Sequence, residues 1–213
     1  MKKAVKTWGT FRCVTCYPDD FSEGKHYPVI LFLHGAGARG TDISLLESNA
    51  ITQYFRTHQP LPFVLAEPLC EDDTWFEVFE QLIAFTAYVH NLPYTDKSQF
   101  YLSGNSMGGY AAWMLAMARP EWFTALVPVC GGGMTWNAAR LKNLPIWAFH
   151  GMLDDVIPVE ESIKMVASVN AAGGNAKLTL YPHTKHNSWD EAYADPLLYQ
   201  WLLAAGGRRK TAP

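Results

Sequence analysis

The chain has 213 residues, 49% of them hydrophobic and 17% charged, with 17 Lys and Arg against 20 Asp and Glu for a net charge of −3. That length suits one α/β domain, and a charge content below the usual quarter or so leaves ample apolar material for a core. The balance speaks against nucleic-acid binding, because the one basic cluster, "GGRRK" at 206–210, reads as part of a flexible tail over 206–213.

In chain order, "MKKAVKTWGTF" carries lysines but no apolar stretch of signal-peptide type, so a cytoplasmic protein is expected. A strand is predicted over Thr10–Tyr17, followed by a polar surface turn, "YPDDFSEGKHYP", and a second strand over Val29–Leu33. Further strands are read at Phe63–Ala66, Gln99–Ser103, Ala125–Val129, Ile146–Phe149 and Leu178–Tyr181. Several are apolar throughout rather than alternating, as in parallel strands covered on both faces. Between them the spacing predicts helices over Ile43–Arg56, Phe76–Asn91, Met107–Ala118, Val159–Ala171 and Asp195–Leu203. The apolar runs are strand-sized, far short of the roughly 20 residues that span a bilayer. The segment "GGGMTWNAARLKNLP" (131–145) has no clear assignment and is a candidate to overhang a site. Alternating strands and helices imply a mostly parallel sheet with helices on both faces, a three-layer α/β architecture with ligands past the carboxyl ends of the strands.

The four cysteines have plain structural readings. Cys13 and Cys16 are three apart on a predicted strand and point to opposite faces, so they cannot clasp one metal. Cys70 and Cys130 read as small hydrophobic residues near strand ends.

Chemistry is concentrated in "YLSGNSMGGYAAW" (101–113), where Gly104, Ser106 and Gly108 have the spacing G-x-S-x-G between a strand and a helix. At such a junction the serine backbone is strained and leaves no room for neighbouring side chains, which the glycines satisfy. Ser106 is therefore the candidate nucleophile, with a structural Gly-rich turn as the alternative. The N–H of Met107, at the helix N-terminus, is a candidate oxyanion donor. The turn "HGAG" after the second strand offers the N–H of Ala36 as the other donor, with His34 fixing the turn.

An acid and a base are expected on later strand-end loops in the order Ser, Asp, His. "MLDDVIP" offers Asp154 and Asp155; "HTKHNSWDEAY" offers His183 and His186; position alone chooses between neither pair. His26, His58 and His90 read as surface residues and His150 as structural. Trp75, Trp136 and Trp189 lie in loops expected near the strand ends and are candidates for a substrate pocket, whereas Trp8 and Trp201 read as packing residues.

The motifs "YPVILFLHGAGARGTD", "YLSGNSMGGYAAW", "HGMLDDVIPVEES" and "YPHTKHNSWDEAY", in this order, resemble the α/β-hydrolase family. The likeness runs from about Phe11 to Leu203 and is to the compact esterase branch: dienelactone hydrolases, phospholipase/carboxylesterase proteins and the catalytic domain of prolyl oligopeptidase. The family's H-G-x-x-D-x-x-x-P pattern implies Asp154 as the acid, and its Y-P-x-x-x-H pattern implies His186 as the base; Ala36 and Met107 take the oxyanion positions. Dienelactone hydrolases usually carry a cysteine nucleophile where Ser106 stands, and neither a propeller domain nor a large lid is visible. The resemblance thus implies a serine carboxylic ester hydrolase acting on small to medium neutral esters, ahead of a peptidase or a non-catalytic binding protein. It calls for no metal or organic cofactor and no partner beyond a small-molecule ester, with the chain a monomer or homodimer.

Overall fold

The computed structural model describes residues 2–58 and 60–210, with side chains described through residue 207. Eight strands form one sheet: β1 (Lys2–Trp8), β2 (Phe11–Tyr17), β3 (Tyr27–Leu33), β4 (Val64–Pro68), β5 (Thr95–Asn105), β6 (Ala125–Val129), β7 (Ile146–Gly151) and β8 (Ala176–Tyr181). Their spatial order is β1-β2-β4-β3-β5-β6-β7-β8. The β1–β2 and β2–β4 pairs are antiparallel and all later neighbours are parallel.

Six α-helices cover the sheet: α1 (Ala50–Thr57), α2 (Phe79–His90), α3 (Met107–Ala118), α4 (Glu160–Ala171), α5 (Trp189–Ala194) and α6 (Pro196–Lys210). Alternate side chains of β3 explain the three layers. Val29, Leu31 and Leu33 join the core beneath α2, α3 and α4, whereas Ile30 and Phe32 join a second core beneath α1, α5 and α6. A strand buried on both faces must be apolar at every position, which is why β3 reads "YPVILFL" without alternation. Cys13 falls in the first core and Cys16 in the second, so the two thiols do face opposite sides of β2.

Three sequence expectations are corrected. The first is the N-terminal segment, which pairs in full register with β2 as β1, the two strands joined by a tight turn in which Gly9 has φ +56°. It escaped the apolar pattern because it is an edge strand whose lysines face solvent. The second is the helix expected over Ile43–Arg56, which is split into a 3-10 turn (Ile43–Ser48) and α1 by the extended backbone of Asn49. Ser48 turns its hydroxyl back onto the Leu45 carbonyl, and Asn49 donates to Glu67; such local side-chain bonds compete with helix propagation.

The third is the tail expected from 206, which is helical to Lys210. Gly206 packs against Gln99 and Tyr101 so closely that an added Cβ would come within 2.6 Å of each, and residues 211–213 lie outside the described region. Residues 131–145, without assignment from sequence, contain a 3-10 turn (Thr135–Leu141). Gly131 lies against Gly109 and Tyr110, and Gly133 against Trp113 and Met165, so the segment enters between α3 and α4. Of the described residues, none forms a helix long and apolar enough to cross a membrane.

This topology positions the site. The chain leaves β3, returns as β4 on one side, and returns again as β5 on the other, so the carboxyl ends of β3 and β5 diverge at a switch point. The turn carrying Ala36 follows β3, and Ser106 follows β5.

Candidate active site

Ser106 sits between β5 and α3 with φ 55° and ψ −121°, a conformation that costs a non-glycine residue roughly 1–3 kcal/mol. The surroundings enforce it. The Ser106 amide donates to the Val129 carbonyl of β6 at 3.0 Å, and its carbonyl accepts from Gly109 and Tyr110 at 2.8 and 3.1 Å. The glycines are sterically required: a Cβ on Gly104 would overlap the Gly108 carbonyl, one on Gly108 the Leu33 carbonyl, and one on Gly109 would lie 2.6 Å from the Val129 oxygen. α3 is thereby pressed against the ends of β3, β5 and β6, and the side chain at its head is held clear of them.

Ser106 Oγ lies 2.9 Å from His186 Nε2, and His186 Nδ1 lies 2.8 Å from Asp154 Oδ2. The Asp154 side chain has no exposed surface and that of His186 is 19% exposed. Asp154 Oδ1 accepts from the amides of Val156 and Ile157, both at 2.9 Å. Burial alone would raise the Asp154 pKa. The bonds from His186, Ile157 and Val156 outweigh it, and the net direction is down, which keeps the buried group a carboxylate.

The turn after β3 is built around His34. This fully buried ring accepts the Cys70 amide on Nε2 at 2.9 Å, so its proton is on Nδ1, which donates to the Gly35 carbonyl at 2.8 Å. Burial pushes its pKa down to about 4 against the Gly35 bond, so it stays neutral and acts as a brace, as expected from sequence. Trp75 donates from Nε1 to the His34 carbonyl at 3.0 Å. The bracing sets Gly35, Ala36 and Gly37 along a cleft of about 460 Å³ that also includes Asn49, Asn105, Ser106, Val156, His186 and Trp189. Ala36 opens a 3-10 turn and Met107 opens α3, so neither N–H has an acceptor within its own helix.

The remaining candidates separate cleanly. Asp155 is exposed and pairs with Lys185 at 3.1 Å, and His183 is exposed on the far side of the same turn. Of the three tryptophans, Trp189 alone lines the cleft, its ring edge-on to His186 with centroids 5.1 Å apart. Trp75 is fully buried beneath His34 and Trp136 is 80% exposed, so a pocket role for either is corrected. His90 is half-buried between Phe100 and Trp122 rather than on the surface. The segment 131–145 contributes nothing to the cleft lining.

Cys130, at the end of β6 with φ 40°, brings its sulfur within 4.8 Å of donor atoms on Asp154 and His186. Such a trio has the donor types of a metal site. However, Asp154 and His186 are already bonded to each other, and burial pushes the thiol up to about 12, so it is protonated at neutral pH. Sequence reasoning missed Asn49 and Val156 as cleft residues, because both belong to loops whose paths are set by tertiary contacts.

A mostly parallel sheet of this order, with a serine at the turn after β5 and helices on both faces, is the α/β-hydrolase fold. The prolyl oligopeptidase family model matches residues 76–142, a span that holds Ser106 but neither Asp154 nor His186. Among solved structures, a thermostable esterase is 29% identical with a TM-score of 0.83; the match covers 95% of this chain and 62% of that one, so this chain spans less than two thirds of that esterase. A ferulic acid esterase is 15% identical with a TM-score of 0.71, covering 97% and 98% of the two chains. Est1E from Butyrivibrio proteoclasticus is 14% identical with a TM-score of 0.69, covering 95% and 98%. Curated protein sequences gave no match. By fold and by these likenesses the chain is an α/β-hydrolase akin to the esterases of that fold.

Proposed function

We propose that the chain is a serine carboxylic ester hydrolase whose nucleophile, base and acid are Ser106, His186 and Asp154. The observation that carries the reading is the unbroken chain of contacts from Ser106 Oγ to His186 Nε2 at 2.9 Å and from His186 Nδ1 to Asp154 Oδ2 at 2.8 Å. A serine hydroxyl is a weak nucleophile until a base takes its proton, and the base needs a partner that fixes its tautomer.

In the first half-reaction Ser106 Oγ attacks the ester carbonyl carbon as His186 Nε2 takes the hydroxyl proton. The N–H groups of Ala36 and Met107 hold the developing oxyanion, and the positive end of α3 adds to that field. Collapse breaks the bond to the alcohol oxygen, which leaves with the proton from His186 and an acyl group on Ser106. Water then attacks the acyl carbon while His186 again serves as base, releasing acid and free Ser106. Asp154 keeps the His186 proton on Nδ1 and stabilises the imidazolium formed twice per cycle.

No residue along the cleft carries a formal charge at neutral pH apart from a protonated His186, which favours neutral esters of small to medium size. The match to the prolyl oligopeptidase model favours a second reading as a serine peptidase. A panel of p-nitrophenyl esters of increasing chain length, run beside an aminoacyl anilide with wild type and Ser106→Ala, separates the two. Ester turnover lost by at least about a thousandfold in the variant is expected. Anilide turnover without ester turnover would replace the esterase with the peptidase, and undiminished ester turnover in Ser106→Ala would sink the nucleophile assignment.

A further inference from the structure

Asp154 has a second histidine. His150, on β7 four residues earlier, is fully buried and directs Nε2 at Asp154 Oδ2 at 3.1 Å, the same oxygen that meets His186 Nδ1. The Ile157 carbonyl lies 3.0 Å from that nitrogen. A carbonyl and a carboxylate can only accept, so Nε2 carries the ring proton. The other nitrogen is equally fixed: Nδ1 lies 2.7 Å from Ser162 Oγ on α4, which is itself 2.9 Å from the Gly131 carbonyl. The single Ser162 proton serves Nδ1 when the ring is neutral and Gly131 when the ring is doubly protonated. Burial holds His150 below the usual histidine range, which favours the neutral ring.

Taking the proposed roles of Ser106, His186 and Asp154 as its basis, we propose that His150 is a positioning residue for the reaction. Its Nε2–H supplies the fourth hydrogen bond to the buried Asp154 carboxylate, fixes which way Oδ2 faces, and limits how strongly Asp154 attracts a proton on His186. Three donors would leave Oδ2 with one partner and free to swing; four give each oxygen two. The chain Gly131, Ser162, His150, Asp154, His186, Ser106 thereby links the end of β6 and α4 to the nucleophile through side chains on rigid elements.

The charge environment is simple enough to give the sign. His186 is faced by Asp154 and His150 from β7 and its loop, by the neutral Cys130 thiol from β6, and by Ser106 and Trp189. Tyr110 on α3 and Glu161 on α4 stand behind Asp154, and the exposed Asp155–Lys185 pair flanks the turn. Removing the Nε2–H concentrates charge on Oδ2, which favours His186 imidazolium. The acid limb of the kcat/KM profile therefore moves to higher pH. The same sign follows whether the lost ring was neutral or charged.

The experiment compares wild type, His150→Leu and His150→Gln, whose amide can still present a donor near the Nε2 position. In His150→Leu we expect kcat to fall about tenfold with KM little changed, and the acid limb to rise by about half a pH unit. His150→Gln is expected to restore most of both. An equal loss in the two variants with an unmoved acid limb would mean a merely structural role and overturn the proposal. If His150→Leu does not fold, His150→Asn, whose amide cannot reach Asp154 from β7, takes its place. A readout independent of turnover comes from ¹⁵N NMR of the imidazoles in the wild-type protein. His150 should be protonated on Nε2 at pH 7, and a ring protonated on Nδ1 alone would overturn the proposal whatever the ester assays give. Loss of activity in Ser106→Ala tests the nucleophile separately, so the two can fail independently.

Discussion

Glu67 provides a prediction whose size can be worked out. It stands on β4 with no exposed surface, and its carboxyl is met by the Thr52 hydroxyl at 2.7 Å and by Asn49 Nδ2 at 3.2 Å. Burial pushes its pKa from the ordinary 4.5 to about 7, against the lowering effect of the Thr52 and Asn49 bonds. The folded chain therefore keeps a proton that the unfolded chain gives up. Stability from this group is full below pH 4.5, declines as the pH rises toward 7, and is flat above that. A rise of about 2.5 pH units at roughly 1.4 kcal/mol each makes the ionised form cost about 3 kcal/mol. Glu67→Gln keeps the shape and removes the titration. The variant should match wild type at pH 4.5 and exceed it by about 2–3 kcal/mol at pH 8, read by urea unfolding of both proteins followed by tryptophan fluorescence. Every other titrating group cancels in the difference, so a gap that stays constant between the two pH values would refute the reasoning.

The elbow makes a paired prediction about glycines. Gly108→Ala must separate α3 from β3, because its Cβ would sit 2.5 Å from the Leu33 carbonyl carbon and 2.7 Å from the His34 oxygen, whereas a Cβ on Gly37 meets nothing within 4 Å. The first should cost above about 3 kcal/mol, or roughly 10 °C in Tm, and the second under about 1 kcal/mol, with equal losses counting against steric exclusion at the elbow. Asp154→Asn should lower kcat for an ester by about 10³–10⁴ with KM largely kept, since it alters the His186 tautomer and leaves the cleft lining intact; a decrease below tenfold in the folded variant would remove Asp154 from the mechanism.

The fold was legible where burial on both faces left no freedom. β3, β6 and β7 had to be continuous apolar runs, and their places in the chain were readable within a few residues. β1 was not legible, because its lysines satisfy an edge strand and a solvated loop equally well. The break at Asn49 was hidden for a different reason: its cause is Glu67, 18 residues away on another element. Trp75 and Trp136 show the same limit from the other side. Both are loop tryptophans in the sequence, yet one braces His34 from within the core and the other stands in solvent, a difference set by contacts the local sequence does not contain. His150 read as structural since its partners, Ser162, Ile157 and Asp154, come together only when α4 and the loop after β7 dock.

The choice between Asp154 and Asp155 was open on position, but a local physical signal for it exists. An aspartate that turns the chain takes the amides two and three residues on. Asp154 has Val156 and Ile157 at those places, and both donate to Oδ1 at 2.9 Å, which leaves Oδ2 for the two histidines. Asp155 would need Ile157 and Pro158, and proline has no N–H to give. In "DDVIP" the proline therefore denies the second aspartate the turn that locks the first. Asp155, lacking that anchor, faces solvent and Lys185.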